Sequence, residues 1–386
     1  MNSKTIIACC ICMWMVCVAS AQWKGTITGK LPQLAYSSGA DRLGSAKAGF
    51  IDTGIQVLVV DSVNDLYRLQ LSKQREAFIA KTNIKALADT LPMPMATLES
   101  WSVRGGEKLD TVSIGISRPV AYSSWMETNP ATIVVELYGV QSNTNWITNL
   151  SSAKGIKEVN WKQTENDVVQ VTITLHQRQH LGYTIGYKSG RLVLSIKRLP
   201  DAIHVKDLVI AIDAGHGGNN TGAKGVNTGL LEKNYTLLFA KELQRLLEHK
   251  GVTVIMTRQT DTTIDNKERQ LLLQNAQPDL VISFHLNSSG RASARGVSTY
   301  YRHVAFRPLT QMILDELVEI DDLPEFGNIG SFNFQLVQPT DFPSCLVEVA
   351  FISNAADEQL VRDESFREKV AHKVMKGIAE WLRQLD

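Results

Sequence analysis

Cysteine is what this chain has least of once its leading segment is set aside. There are five in 386 residues, and four of them, Cys9, Cys10, Cys12 and Cys17, fall within the first 21, so beyond that point only Cys345 remains. One thiol cannot close a disulfide within a chain, and a fold without such staples must rest on buried apolar surface. Cys345 stands in Pro343-Ser344-Cys345-Leu346-Val347, a buried-strand pattern in which a thiol reads as a small apolar filler rather than a nucleophile. Surplus charge is missing as well. With 40 basic against 39 acidic residues there is no basic excess of the kind that marks a nucleic-acid binder. After residue 21 no apolar run approaches the ~20 residues that cross a bilayer, and no repeat or low-complexity tract stands out. An apolar fraction of 44% with 20% charged residues is that of a globular protein, and the length predicts two or three domains, each able to bury its own core.

The leading segment has the layout of a signal peptide. Lys4 supplies a positive charge, residues 5–18 are almost uninterruptedly apolar, and Ala19-Ser20-Ala21 offers small residues for cleavage before Gln22. The run is too short for a transmembrane anchor, and none of its cysteines has the small-residue approach of a lipid-modified one. An exported, periplasmic protein is expected, with 1–21 removed.

Residues 22–90 carry short β-type runs, 55–60 and 66–71, between Gly, Asp and Asn turn signals, which predicts a small barrel. The order Asp41-Arg42, a Gly-containing loop, Ile55-Gln56-Val57-Leu58-Val59-Val60, then Leu66-Tyr67-Arg68-Leu69 resembles a bacterial SH3-type domain. Leu91-Pro92-Met93-Pro94 interrupts the pattern as a linker. From 98 to 200 strands dominate again, at 111–116, 132–137, 168–175 and 192–196. Alternation such as Val169-Gln170-Val171-Thr172-Ile173 gives one buried and one wet face, so a β-sandwich is predicted. Val112-Ser113-Ile114 with Pro119-Val120-Ala121-Tyr122, then Ala131-Thr132-Ile133-Val134-Val135-Glu136-Leu137, resembles the AMIN domain, which implies targeting to the cell wall.

After Leu199-Pro200-Asp201 the texture changes. Strand-like runs at 208–213, 252–257 and 280–285 alternate with helical ones at 232–250 and 265–276, and a last helix is expected over 365–385. This predicts a layered α/β domain over 207–386, with a twisted, mostly parallel sheet flanked by helices. Leu238, Leu243, Leu246 and Leu247 define the expected inner face of the first helix, and Phe366, Val370, Val374, Ile378 and Leu382 that of the last. Both should pack on the sheet.

In an open α/β sheet, chemistry collects at the carboxyl ends of the strands. There Asp213-Ala214-Gly215-His216-Gly217-Gly218 follows the first strand, His285 ends the run Leu280-Val281-Ile282-Ser283-Phe284, Glu348 follows Cys345-Leu346-Val347, and Glu232 opens the first helix. Two imidazoles and one carboxylate suit a single zinc ion with one tetrahedral position left for water. That assigns His216, Glu232 and His285 as ligands and leaves Glu348 as general base. Taken singly, either histidine also reads as a polar strand cap and Glu232 as a first-turn acid favoured by the helix dipole. Glu348 has no such bland reading, because a carboxylate in buried strand is expensive unless paired or working. His176, His180, His204, His249, His303 and His372 lie in polar sandwich, linker or helix contexts and are read as structural.

The ordered motifs Ile212-Asp213-Ala214-Gly215-His216-Gly217-Gly218, Gly229-Leu230-Leu231-Glu232-Lys233-Asn234, Thr257-Arg258-Gln259-Thr260-Asp261, Ser283-Phe284-His285-Leu286-Asn287 and Leu346-Val347-Glu348-Val349-Ala350-Phe351-Ile352-Ser353-Asn354 resemble those of the zinc N-acetylmuramoyl-L-alanine amidases of the Amidase_3 type. The resemblance implies one zinc held by His216, Glu232 and His285, a catalytic Glu348, and peptidoglycan as substrate and partner, cut between N-acetylmuramic acid and L-alanine. A zinc peptidase acting within the peptide stem and a catalytically silent wall-binding protein are the alternatives. Glu268-Arg269 resembles a further family pair and is read as structural. Leu286 and Ala214 depart from the family pattern, which bears on subsite shape. The short interval 296–343 leaves room for one helix, at 305–320, and a loop, so a plugging helix is not expected.

Overall fold

The computed structural model describes residues 22–39, 44–88, 92–200 and 203–385; the expected signal segment and Asp41-Arg42 lie outside them. The first unit is one antiparallel sheet of seven short strands, running in space from Lys47–Phe50 at one edge through Gln33–Ala35, Glu76–Ala80, Leu66–Gln70, Gln56–Val63 and Trp23–Ile27 to Ile84–Ala86. Among the described residues its pairings form a path with two ends rather than a closed ring.

The sandwich follows. One sheet pairs Tyr122–Thr128, Ala131–Tyr138, Val168–Leu175 and Ile156–Glu165, and the other is built on Ala96–Gly105, Leu109–Ile116 and Arg191–Lys197. Alternate residues turn inward, so Ile133, Val135, Val171 and Ile173 meet Val112, Ile114, Leu192 and Leu194. The expectation of a separate core for each β unit is corrected. Ile27, Val57 and Leu69 of the first unit belong to the same apolar cluster as the sandwich, and Ala305 and Phe306 of the C-terminal domain reach into it. A unit this small buries too little surface of its own to be more than marginal, and sharing a core removes that weakness.

The C-terminal domain has β1 (Val209–Ala214), α1 (Glu232–His249), β2 (Thr253–Met256), α2 (Asn266–Ala276), β3 (Leu280–Asn287), β4 (Val297–Tyr300), α3 (Arg307–Leu317), β5 (Glu325–Ile329), β6 (Ser344–Phe351), α4 (Ala355–Arg362) and α5 (Glu364–Arg383). The sheet order is β2-β1-β3-β6-β4-β5. The first four strands are parallel, whereas β4 runs antiparallel to β6 and carries β5 beside it. The sheet is therefore mostly parallel, with a reversed pair at one edge. The interval expected to hold one helix and a loop does hold α3, but also β4, β5 and a short turn of 3₁₀ helix at Gln335–Val337. The helix α4 had no counterpart in the sequence reading.

Because side chains alternate along a strand, the sheet has two unlike faces. On one, Ile210, Ile212, Ala214, Leu280, Ile282, Phe284, Cys345, Val347 and Val349 share a cluster with residues of α1, α3 and α5. Each fully buried side chain of this kind stabilises the fold by about 1.5–3 kcal/mol. The inner face of α1 is Phe239, Ala240, Leu243, Leu246 and Leu247. Leu238, expected there, is 42% exposed, since it sits one position off the 239/243/246 row. The other face receives α2, started by a capping box between Asp265 and Glu268, and the 3₁₀ turn Gln335–Val337, with Leu273, Leu336 and Phe342 packed on Ala211 and Val281. Toward the carboxyl ends of the strands that second face turns polar.

Candidate metal centre

Strand β1 runs directly into Gly215 and His216. A Cβ at Gly215 would lie 2.4 Å from the His285 ring, so only glycine lets the chain pass so close to β3. His216 itself has φ +62°, an uncommon conformation for a residue with a side chain and a mark of stored strain at a working site. It is held there from both sides. Its carbonyl accepts from the Arg269 guanidinium, and its Nδ1 lies 2.9 Å from Asn220 Oδ1. Glu232, the first residue of α1, is fixed by the N–H of Ala223 on Oε2 (2.8 Å) and the N–H of Leu286 on Oε1 (3.0 Å). At Gly222 a Cβ would come within 2.4 Å of Glu232 Oε2.

These constraints bring three ligand-type atoms to one point. His216 Nε2 lies 3.0 Å and His285 Nδ1 3.1 Å from Glu232 Oε1, and the three residues form a cluster whose ligand atoms all fall within 4.8 Å of one another. Burial alone would raise the Glu232 carboxyl, but the hydrogen bonds and charge of the two imidazoles outweigh it and hold the group well below the usual carboxylate range. Nε2 of His285 is buried with no hydrogen-bond partner, an exception to the rule that buried polar atoms are paired. Two imidazole nitrogens and a carboxylate oxygen so placed fit a divalent cation such as zinc.

Glu348 is not part of that cluster but stands next to it. In the β3–β6 pairing it is in register with His285, so the two side chains leave the same face of the sheet on strands about 4.8 Å apart. Phe334 closes the near side, its ring edge-on to His285 at 5.4 Å between centroids.

Behind the ligands lies a buried network. Asp213, fully buried, takes Arg269 Nη1 at 2.6 Å, Ser283 Oγ at 2.6 Å and Thr257 Oγ1 at 2.7 Å. Burial works against its ionisation, and Arg269 with the two hydroxyls more than reverses this, keeping it a carboxylate. Arg258 donates to the carbonyls of Ala214, Gly215 and Lys233, tying the His216 turn to the start of α1. The structural reading of Glu268-Arg269 thus gains its content: Glu268 caps α2, and Arg269 links Asp213 to the His216 backbone. The sequence reading missed Asp213 and Arg258. A carboxylate at the end of an apolar strand was the available signal for the first; the second was quoted within the motif Thr257-Arg258-Gln259-Thr260-Asp261 but given no role.

Ala214 and Leu286, expected to bear on subsite shape, are buried on the opposite face among the helices. Their side chains belong to the helix-side core rather than to the site. Cys345 lies on that face too, and burial pushes its thiol pKa up, as befits a filler. None of the other six histidines joins the metal-type cluster among the described residues.

A mostly parallel sheet with a two-histidine, one-glutamate cluster at its carboxyl rim, and a further glutamate beside it, offers the donor set of a divalent metal site. The sequence profile of the Amidase_3 family, N-acetylmuramoyl-L-alanine amidase, matches residues 210–380, and that of the AMIN domain matches 98–199. The chain is 30% identical over 215 residues to the Staphylococcus saprophyticus protein named "Probable cell wall amidase LytH", covering 55% of this chain and 72% of that protein. To the LytH of Staphylococcus aureus it is 34% identical over 171 residues, spanning 44% of this chain and only 56% of the relative. Among solved structures, the catalytic domain of the N-acetylmuramoyl-L-alanine amidase CwlV of Paenibacillus polymyxa is 31% identical, with 46% of this chain and 99% of that one covered and a TM-score of 0.44. The amidase AmiC2 of Nostoc punctiforme is 27% identical, with 46% and 97% covered and a TM-score of 0.44. The protein belongs to the Amidase_3 family of N-acetylmuramoyl-L-alanine amidases, and carries an AMIN domain ahead of the catalytic one.

Proposed function

We propose that this protein hydrolyses the amide between N-acetylmuramic acid and the L-alanine of the peptidoglycan stem, using one zinc ion held by His216, Glu232 and His285 with Glu348 as general base. The observation that carries the reading is the convergence of His216 and His285 on Glu232 Oε1, with Glu348 in register beside His285. When bound, zinc supplies a Lewis acid that polarises the carbonyl and brings the pKa of water to about 7. The Glu348 carboxylate takes the proton of the attacking water and returns it to the departing nitrogen. Arg269 and Arg258 move no proton; they hold the His216 backbone in its strained conformation so that the imidazole stays aimed at Glu232.

On the same reading the chain is exported to the periplasm with 1–21 removed, 22–90 is an SH3-like unit, the AMIN region 98–200 binds peptidoglycan, and 207–386 is the catalytic domain. Purified protein given zinc and sacculi should release intact stem peptides with a free N-terminal alanine, and chelator should stop it. Fragments cut within the stem would establish a peptidase instead, and no release in the presence of zinc would leave a wall-binding protein.

A further inference from the structure

Residues 331–335 run beside the candidate metal cluster, and their aromatic side chains are chained together. Phe334 meets His285, Phe332 lies 6.1 Å from Phe334, and Tyr300 lies 4.5 Å from Phe332. Between the two phenylalanines sits Asn333, whose side chain turns away from the site toward the first β unit, some 290 residues earlier in the chain.

Lys47–Phe50 is the edge strand of that unit, and an edge strand presents backbone groups with no neighbouring strand to pair them. The carbonyl of Ala46 faces inward, accepting from Tyr36 N–H at 2.8 Å, so Ser45 and Lys47 on either side face outward. Asn333 meets them as a strand would. Its Oδ1 accepts the Lys47 N–H at 3.2 Å and its Nδ2 donates to the Ser45 carbonyl at 2.9 Å. Arg302 adds a second bridge, donating to the carbonyls of Lys47 and Ser331. Beside these contacts the junction is hollow, with a cavity of about 580 Å³ lined by Ala48, Asp52, Tyr122, Arg302, Ser331 and Gln338. The segment 331–335 is thus held from two sides: Phe332 and Phe334 pack on Tyr300, Val337 and Leu346 of their own domain, and the polar bridges tie the residue between them to the first β unit.

From this we infer that the first β unit is a positioning element of the cleft: through Asn333 and Arg302 it holds Phe332 and Phe334 as the wall against which the substrate seats. This rests on the amidase reading for the identity of the substrate, but not for the clamp itself. Asn333 is a positioning residue, acting on the site through Phe332 and Phe334, its neighbours in the chain. Since the wall contacts substrate in ground and transition states alike, loosening it should raise KM and leave kcat alone.

The test compares full-length Asn333→Ala, Asn333→Asp and Lys47→Pro with the unmodified protein. Lys47→Pro deletes the donated N–H from the far partner, at a sheet edge where proline is tolerated. Amide hydrogen exchange over residues 330–338 should quicken about tenfold in Asn333→Ala and Lys47→Pro, the scale of one or two lost hydrogen bonds, and less in Asn333→Asp, which keeps the acceptor. Exchange in β6 and zinc content should not change. KM for soluble muramoyl-peptide should rise about five- to tenfold with kcat within about twofold. Unchanged exchange at 330–338, or quickened exchange with unchanged KM, overturns the inference. If the unmodified protein cleaves no muramoyl-peptide, the amidase reading fails, and the exchange result still decides whether the clamp exists.

Discussion

The two faces of the C-terminal sheet are made by the same strands and differ in almost everything else. On β3, Phe284 points to the helices and the next residue, His285, to the candidate metal cluster. On β6, Val347 and Val349 enter the core while Glu348 between them enters the site. The helix-covered face is mainly apolar and carries stability, its few polar atoms, such as Thr299 Oγ1 donating to the Thr310 carbonyl of α3, being paired. The opposite face is covered only in part, so it can keep Asp213, Ser283, His285 and Glu348, provided each is paired or working. Period-two geometry lets a single strand serve both purposes without compromise, and a one-residue slip in register would exchange them.

That contrast can be attacked from either side. Changing Glu348 to Ala should lower hydrolysis by about 10²–10⁴-fold, with zinc still bound one per chain by elemental analysis and thermal unfolding little changed; retained turnover in a folded variant would remove Glu348 from its role. Replacing Arg269 with Ala leaves Asp213 buried without its cation and should reduce stability by about 3–5 kcal/mol, read from urea unfolding of metal-free protein. A loss within about 1 kcal/mol would mean that the second face does not depend on this pair.

On the helix-covered face, Val347→Thr keeps the shape and adds a hydroxyl, which should lower stability by about 1–3 kcal/mol while steady-state hydrolysis stays near that of the unmodified protein. The same substitution disturbing catalysis more than stability would blur the division between the faces. The smallest effect is expected at Asp341, where β6 begins beside the sandwich. Burial raises its carboxyl pKa despite the hydrogen bond from Gln277. A carboxyl raised above its unfolded value of 3.8 lowers stability as pH climbs through the folded pKa. Asp341→Asn should therefore melt higher than the unmodified protein at pH 7 and lose that advantage near pH 3, in melting curves recorded across that range.

Much of this was readable before any coordinates. Strand runs at 168–175 and 280–285 stand where alternation and apolar content placed them, because those signals are local. His216, His285 and Glu348 stand out as polar residues that end or interrupt apolar strands, and Glu232 as the acid that opens α1. Leu238 misled because four leucines fit a helical stripe and the stripe that packs is centred one residue further on, at Phe239. The fused core of the two β units and the Asn333 bridge to Lys47 left no local trace, and Arg258 showed only as a motif residue whose carbonyl partners come from distant segments.

The order of residues by itself determined the alternation that gives each strand two characters, the glycines that let His216 turn beside His285, and the four side chains with chemistry to offer. Only the tertiary structure decided that Glu232 Oε1 is where both imidazoles converge, and that a β unit some 290 residues upstream braces the wall beside them. The first kind of fact is set by covalent neighbours within a turn or a strand. The second depends on which distant surfaces can pack together, which no local pattern encodes.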